Sequence, residues 1–387
     1  MSETEPTEQQ SNTANSISAS DSLELQDEVE VIEGVEDDRD LGDFPIDTLL
    51  IRNEQRTVFD VVRRIRQGGY VMNPDFQRDF VWDPDKQSKL IESVLMRIPL
   101  PVFYLAENDE GKVIVVDGLQ RLTTFHQFLN NEFTLKLPEQ SLVHGKTFEE
   151  LSPKLQNRIE DCNLILYILD SNVPDNAKFE IFERVNGGVP LTRQQMRNCL
   201  YNGPATEWLH VEAKTELFLE ATGGSLKTKS MRDREFVNRF CAFWLIGREK
   251  YEKADMDGFL AKALNQMNKM SKAELEGFSA HFQRALNNNL FLFGKHAFRK
   301  HQPDSVNRSV INASLWDVMT VVLGQYTEEQ VRTTPDDFRN AFYSLLDNSD
   351  FGDAITYSVN GNRKVNRRFD LALQTFMEKC GALATFT

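Results

Sequence analysis

Apolar residues recur along the first half of the chain with two periods. Val58, Val61, Val62 and Ile65 fall three and four apart, which predicts a helix ending at Gly68-Gly69. Asp83 is a good N-cap, Pro84 suits a first helical position, and Leu90, Ile91, Val94, Leu95 and Ile98 supply an apolar face, so a second helix is expected up to Pro99 and Pro101. Ile46–Ile51, Val102–Ala106, Val113–Val116, Phe133–Leu137 and Leu164–Leu169 are short apolar runs of strand length. Asn108-Asp109-Glu110-Gly111 reads as the turn joining the second and third of these. Further helices are expected from about Gln120 to Leu129, over 175–185 and over 193–203. From about residue 205 the period is helical almost throughout and rich in Phe, as in FVNRFCAFWLIG and FDLALQTFMEKC. The pattern predicts an α+β chain, with a mixed α/β domain over 44–205 and an all-helical domain over 206–387. No internal repeat of fixed period is found.

Residues 1–43 follow neither period. They are rich in Ser, Thr, Gln and Glu and poor in aromatics, so they are expected to be a disordered acidic tail. This tail reshapes the charge arithmetic. The 387 residues carry a net charge of −15, which at face value argues against a nucleic-acid partner. Residues 1–43 hold 14 acidic residues against Arg39 alone, a local charge of −13, whereas the rest has 45 acids and 43 bases. The acidity belongs to the tail. The tail is either a solvating segment or an acidic mimic that occupies a basic groove on the body.

Other classes are excluded more directly. The apolar run Phe240–Ile246 is far short of a membrane span. The opening MSETEPTEQQ has no basic or apolar region of a secretory signal, so a cytoplasmic protein is expected. Cys162, Cys199, Cys241 and Cys380 show no metal or redox spacing and read as reduced thiols. The histidines form no zinc signature, and the nearest pair, His296 and His301, would not share a helical face.

Three segments could carry chemistry. In VIVVDGLQRLTTF (113–125) an apolar strand runs into Asp117-Gly118 and then into a helix with Gln120 and Arg121. Such a turn offers helix N-terminal amides to an anion, Gly118 permits close backbone approach, and Arg121 can fork onto phosphate oxygens. Asp117 could hold Mg²⁺ or orient a water. The alternative is a tight turn closed by an Asp117–Arg121 ion pair. The loop Asn73–Trp82 is either a packed connector or a binding loop, with Gln77 and Arg78 as its ligand-facing candidates. In the third segment, Phe182–Thr192, helix-capping chemistry accounts for Asn-Gly-Gly and for Thr192 with Gln195. Arg184, Asn186 and, just beyond, Arg197 have no such role and are accessory candidates.

The helical half has basic clusters at 227–239, 295–308 and 363–368. They are either solvated helix faces or phosphate contacts. The last, Arg363, Lys364, Arg367 and Arg368, contains no acid and is the DNA-binding candidate.

FQRDFVW (76–82), KLIESVL with IPLP (89–101), VVDGLQRLTTF (115–125) and IFERVNGGVPLTRQQMRN (181–198) resemble, in wording and order, the N-terminal domain family of GmrSD-type, modification-dependent restriction systems. The resemblance implies a ParB/sulfiredoxin-like core in a bacterial restriction or anti-phage defence protein. It implies nucleotide handling, NTP binding and hydrolysis, at Asp117, Gly118, Gln120 and Arg121, with Gln77 and Arg78 completing the cleft. Two departures matter. The family usually has Gln where this chain has Leu119, and restriction members carry an HNH-type nuclease domain that has no counterpart here. The expected function is therefore NTP binding, with Mg²⁺-dependent hydrolysis in question, coupled to DNA sensing. The alternative is a non-enzymatic adaptor that recruits a separate nuclease subunit. Neither involves a membrane.

Overall fold

A computed structural model describes residues 32–33, 51–72, 82–107, 111–173, 175–185, 192–252 and 254–383. The described residues from Ile32 onward belong to one compact unit. Its first half is built on a five-stranded mixed sheet of β1 (Ile51–Thr57), β2 (Tyr70–Val71), β3 (Phe103–Glu107), β4 (Val113–Asp117) and β5 (Asn163–Leu169), in the order β1-β5-β3-β4-β2. The β1–β5 and β3–β4 pairs are antiparallel, and the β3–β5 and β2–β4 pairs are parallel. Around it lie α1 (Val58–Arg66), α2 (Pro84–Leu95), α3 (Leu119–Leu129), α4 (Pro153–Glu160), α5 (Asp175–Val185) and α6 (Arg193–Leu200).

The described residues after α6 are mainly helical, with a long irregular connection over 297–312. The helices are α7 (Pro204–Glu212), α8 (Glu216–Thr222), α9 (Arg232–Leu245), α10 (Met256–Met267), α11 (Lys272–Phe293), α12 (Ala313–Gly324), α13 (Glu328–Thr333), α14 (Pro335–Leu346), α15 (Ser349–Ala354) and α16 (Asn362–Cys380). The α+β class follows from the pattern as expected. No described helix is long and apolar enough to cross a membrane, and all four cysteines are free.

The alternation of a strand sends successive side chains to opposite faces, and here each face has its own core. Phe103, Leu105, Val115, Leu164, Leu166 and Ile168 point to one side and pack with Val61, Ile91, Leu122, Phe125 and Phe128 of α1–α3. Ala106, Val116 and Leu169 belong to a second cluster, with Phe179 and Phe182 of α5, that continues through Trp208, Phe240, Phe282 and Trp316 of the helical half. Near its middle Asp317 of α12, fully buried, accepts two bonds from Arg239 of α9 (2.8 and 2.6 Å) and one from Arg368 of α16 (2.9 Å).

Several expectations change. Of the strand expected at 46–51 only Ile51 is described, and it opens β1, whose sequence IRNEQRT is polar because it forms a sheet edge. Phe133–Leu137 forms no ladder. Leu135 and Leu137 are buried, but the Leu135 amide donates to Lys146 O and the Lys136 amide to Ser88 Oγ. The second helix stops at Leu95, and Arg97 at φ 61° turns the chain, which leaves Ile98 half exposed. His296 and His301 lie in a short turn and a loop that stack their rings 4.9 Å apart, a pairing helical spacing does not reveal. The acidic tail, expected to be disordered, has one described piece, Ile32 and Glu33, in which Glu33 pairs with the chain at Ile311–Ala313. The turn residues 108–110 lie outside the described residues.

Candidate functional site

The strand–turn–helix at 113–129 is present. β4 ends at Asp117, Gly118 adopts φ 95°, and α3 begins at Leu119. Gly118 has no side chain to cap the helix, so among the described residues the first-turn amides of α3 have no side-chain cap. A Cβ on Gly118 would stand 2.3 Å from Phe103 Cδ1, so the close approach this glycine allows is that of a core ring.

Arg121 is nearly buried. Its Nη2 donates to Val102 O (3.1 Å) and Asp117 Oδ2 (2.9 Å), its Nη1 donates to Pro101 O, and its guanidinium lies 4.2 Å from the Phe103 ring centroid. Burial pushes its pKa down from the usual value, while Asp117 pulls the other way. The Asp117 side chain keeps about a third of its exposure, at 35%. The turn closed by an ion pair, the alternative left open by the spacing, is therefore the geometry seen. Gln120 Oε1 accepts the Trp82 amide (3.0 Å), so Trp82 is tied to the start of α3. Gln77 and Arg78 lie outside the described residues.

The accessory candidates do not gather at this turn as a set. Arg184 is largely exposed and pairs with Glu180 at 3.5 Å. Asn186 lies outside the described residues. Arg197 is buried, donating to Gln194 Oε1 (2.8 Å) and Asp257, with Glu235 at 3.9 Å, so it ties α6 to α9 and α10.

The 363–368 cluster also differs from its linear appearance. Lys364 pairs with Asp353 and Arg367 with Asp350 (2.6 Å), both acids of α15, and Arg368 is buried on Asp317. Only Arg363 is exposed with no ion pair among the described residues. Acids from elsewhere in the chain neutralise most of the candidate DNA surface.

Sequence reasoning missed Phe103 and the Pro101 and Val102 carbonyls as partners of Arg121. The signal was there: Pro99 and Pro101 cannot donate to a ladder, so the segment before β3 leaves carbonyls available.

Fold and site together define a mixed α+β domain around a glycine turn at a helix N-terminus, continued by helices. Residues 58–202 match the family model of the GmrSD restriction endonuclease N-terminal domain. The match spans the Asp117–Arg121 turn, the 73–81 loop and Arg184–Arg197. No curated protein matches the chain.

Proposed function

We propose that the chain is a component of a DNA-directed restriction or defence system whose Asp117–Arg121 turn binds a nucleotide. The observation that carries this reading is the α3 N-terminus, opened by Gly118 with no side-chain cap beside a partly exposed Asp117. First-turn amides and the helix dipole favour an anion there. The Gln120–Trp82 bond fixes Trp82, the residue that follows the segment bearing Gln77 and Arg78 in sequence, at the same turn. The family match supports the restriction setting.

Asp117 is the one carboxylate on this turn, and no group of three or more His, Cys, Asp or Glu suited to a metal occurs among the described residues. That donor set fits Mg²⁺ held by one carboxylate together with substrate phosphates, and the ion would then neutralise phosphate charge. Leu119 is buried and brings no polar group to the turn, which favours binding over hydrolysis.

The test is a panel of NTPs with Mg²⁺, with and without modified DNA, on the wild type, Asp117→Asn and Arg121→Lys. A nucleotide should bind the wild type and bind both variants at least about tenfold more weakly, the effect of losing one charge-assisted hydrogen bond. Unchanged affinity in folded variants refutes the site. A second reading, a non-enzymatic adaptor, is favoured by the Pro101, Val102 and Asp117 contacts of Arg121, which make it a staple of the turn. Binding without turnover supports that reading.

A further inference from the structure

Ile311 and Asn312 form a minimal strand with two usable edges. On one edge the Asn312 amide donates to Phe298 O (2.9 Å), beside the Arg299–Ile311 bridge. On the other, the Glu33 amide donates to Ile311 O (3.2 Å) and the Ala313 amide donates to Glu33 O (2.9 Å). Ile32 packs against the large core cluster, and Glu33 pairs with Lys300, whose Nζ also donates to Thr356 Oγ1 (2.6 Å). Glu33 thus makes one parallel bridge, the backbone pattern by which an extended peptide adds to an edge, where backbone bonds supply adhesion and alternate side chains supply selectivity.

We infer that the Ile311–Ala313 edge docks an extended acidic peptide, and that the stretch carrying Ile32–Glu33 is its resident ligand, latched by Glu33 on Lys300. Charge complementarity supports the assignment. Residues 295–308 hold Lys295, Arg299, Lys300 and Arg308 against Asp304 alone. Lys295 donates to Val306 O (2.8 Å), Arg308 to Gly223 O (3.2 Å), and buried Arg299 to Thr222 O (2.6 Å) and Ala297 O (2.8 Å). Among the described residues Glu33 is the carboxylate that pairs with this cluster. Glu24–Asp38 carries eight acidic residues, no base, and the β-favouring Val29, Val31, Ile32 and Val35. A tethered segment with these features needs little intrinsic affinity, because attachment supplies a high effective concentration. The inference is independent of the Asp117–Arg121 turn.

Single-residue amide exchange on the full chain tests it. Ala313 opens α12, so its amide has no partner within the helix and its protection rests on the Glu33 carbonyl. Trp316, whose amide donates to Asn312 O inside the same helix, reports whether α12 stays folded. Ile32→Ser and Glu33→Lys should each speed Ala313 exchange by roughly 10-fold or more while Trp316 is unchanged. Combining Glu33→Lys with Lys300→Glu should restore protection. A synthetic peptide of residues 24–38, added in excess to the Ile32→Ser protein, should slow Ala313 again. Equal Ala313 exchange in wild type and both single variants overturns the proposal. Protection that rises with protein concentration overturns the intramolecular latch and indicates exchange between two copies.

Discussion

Replacing Gly118 by Ala tests what the glycine of the turn is for. At φ 95° any residue with a Cβ is strained, at a cost of about 1–2 kcal/mol. The new methyl would also meet Phe103 at 2.3 and 2.8 Å and Arg121 Nη2 at 3.1 Å. Phe103 is fully buried, so its ring yields only by disturbing the first core, an overpacking cost of about 1–3 kcal/mol. The two effects together predict a loss of about 2–5 kcal/mol. Chemical denaturation of Gly118→Ala, read as a midpoint shift at constant slope, measures it. The same substitution in a Phe103→Leu background removes the steric part, and only the backbone strain of about 1–2 kcal/mol should remain. A Gly118→Ala cost below about 0.5 kcal/mol, within the ordinary range for surface changes, refutes the reasoning. So does an equal cost in both backgrounds, since the ring would then not be what fills the space.

Three further outcomes follow from buried polar groups. Asp317→Asn should destabilise by about 3–5 kcal/mol, since it leaves the Arg239 and Arg368 guanidinium groups buried without their carboxylate; a calorimetric midpoint within 1 °C of wild type would count against this. Burial lowers the pKa of His281, His296 and His301, so their neutral forms are favoured in the fold. The stability this represents is complete above the unfolded value of about 6.5 and is lost as pH falls below it, so the thermal midpoint should fall below pH 6.5 and fall less in His301→Asn. Burial raises all four thiols, Cys380 to about 12. Iodoacetamide at pH 8 should label the native chain slowly and all four cysteines after unfolding.

The sequence made the helices legible where apolar spacing and caps agreed, as at Asp83-Pro84 and at the Thr192–Gln195 capping box, which is formed as read. β1 was not legible, because an edge strand of Arg, Asn, Glu and Gln has no alternating apolar face. The two-residue strand β2 is too short to leave a pattern. At the site, the strand, the turn and the helix could be placed from 113–129 alone. What Arg121 holds could not, because Phe103, Pro101 and Val102 come from another strand and its approach. The basic run at 363–368 misled for the same reason. A linear cluster shows its own bases and conceals Asp317, Asp350 and Asp353, which only folding brings to it.

The sheet with a core on each face bears on modularity. The matched segment ends at residue 202, yet Ala106, Val116, Leu169, Phe179 and Phe182 within it share one apolar cluster with Trp208, Phe240 and Trp316 beyond it. Cut at that point, the first half would present a wet, apolar wall where the helices had been. The segment is thus no portable cassette in this chain: separated from the helices, it would need another partner to cover that wall.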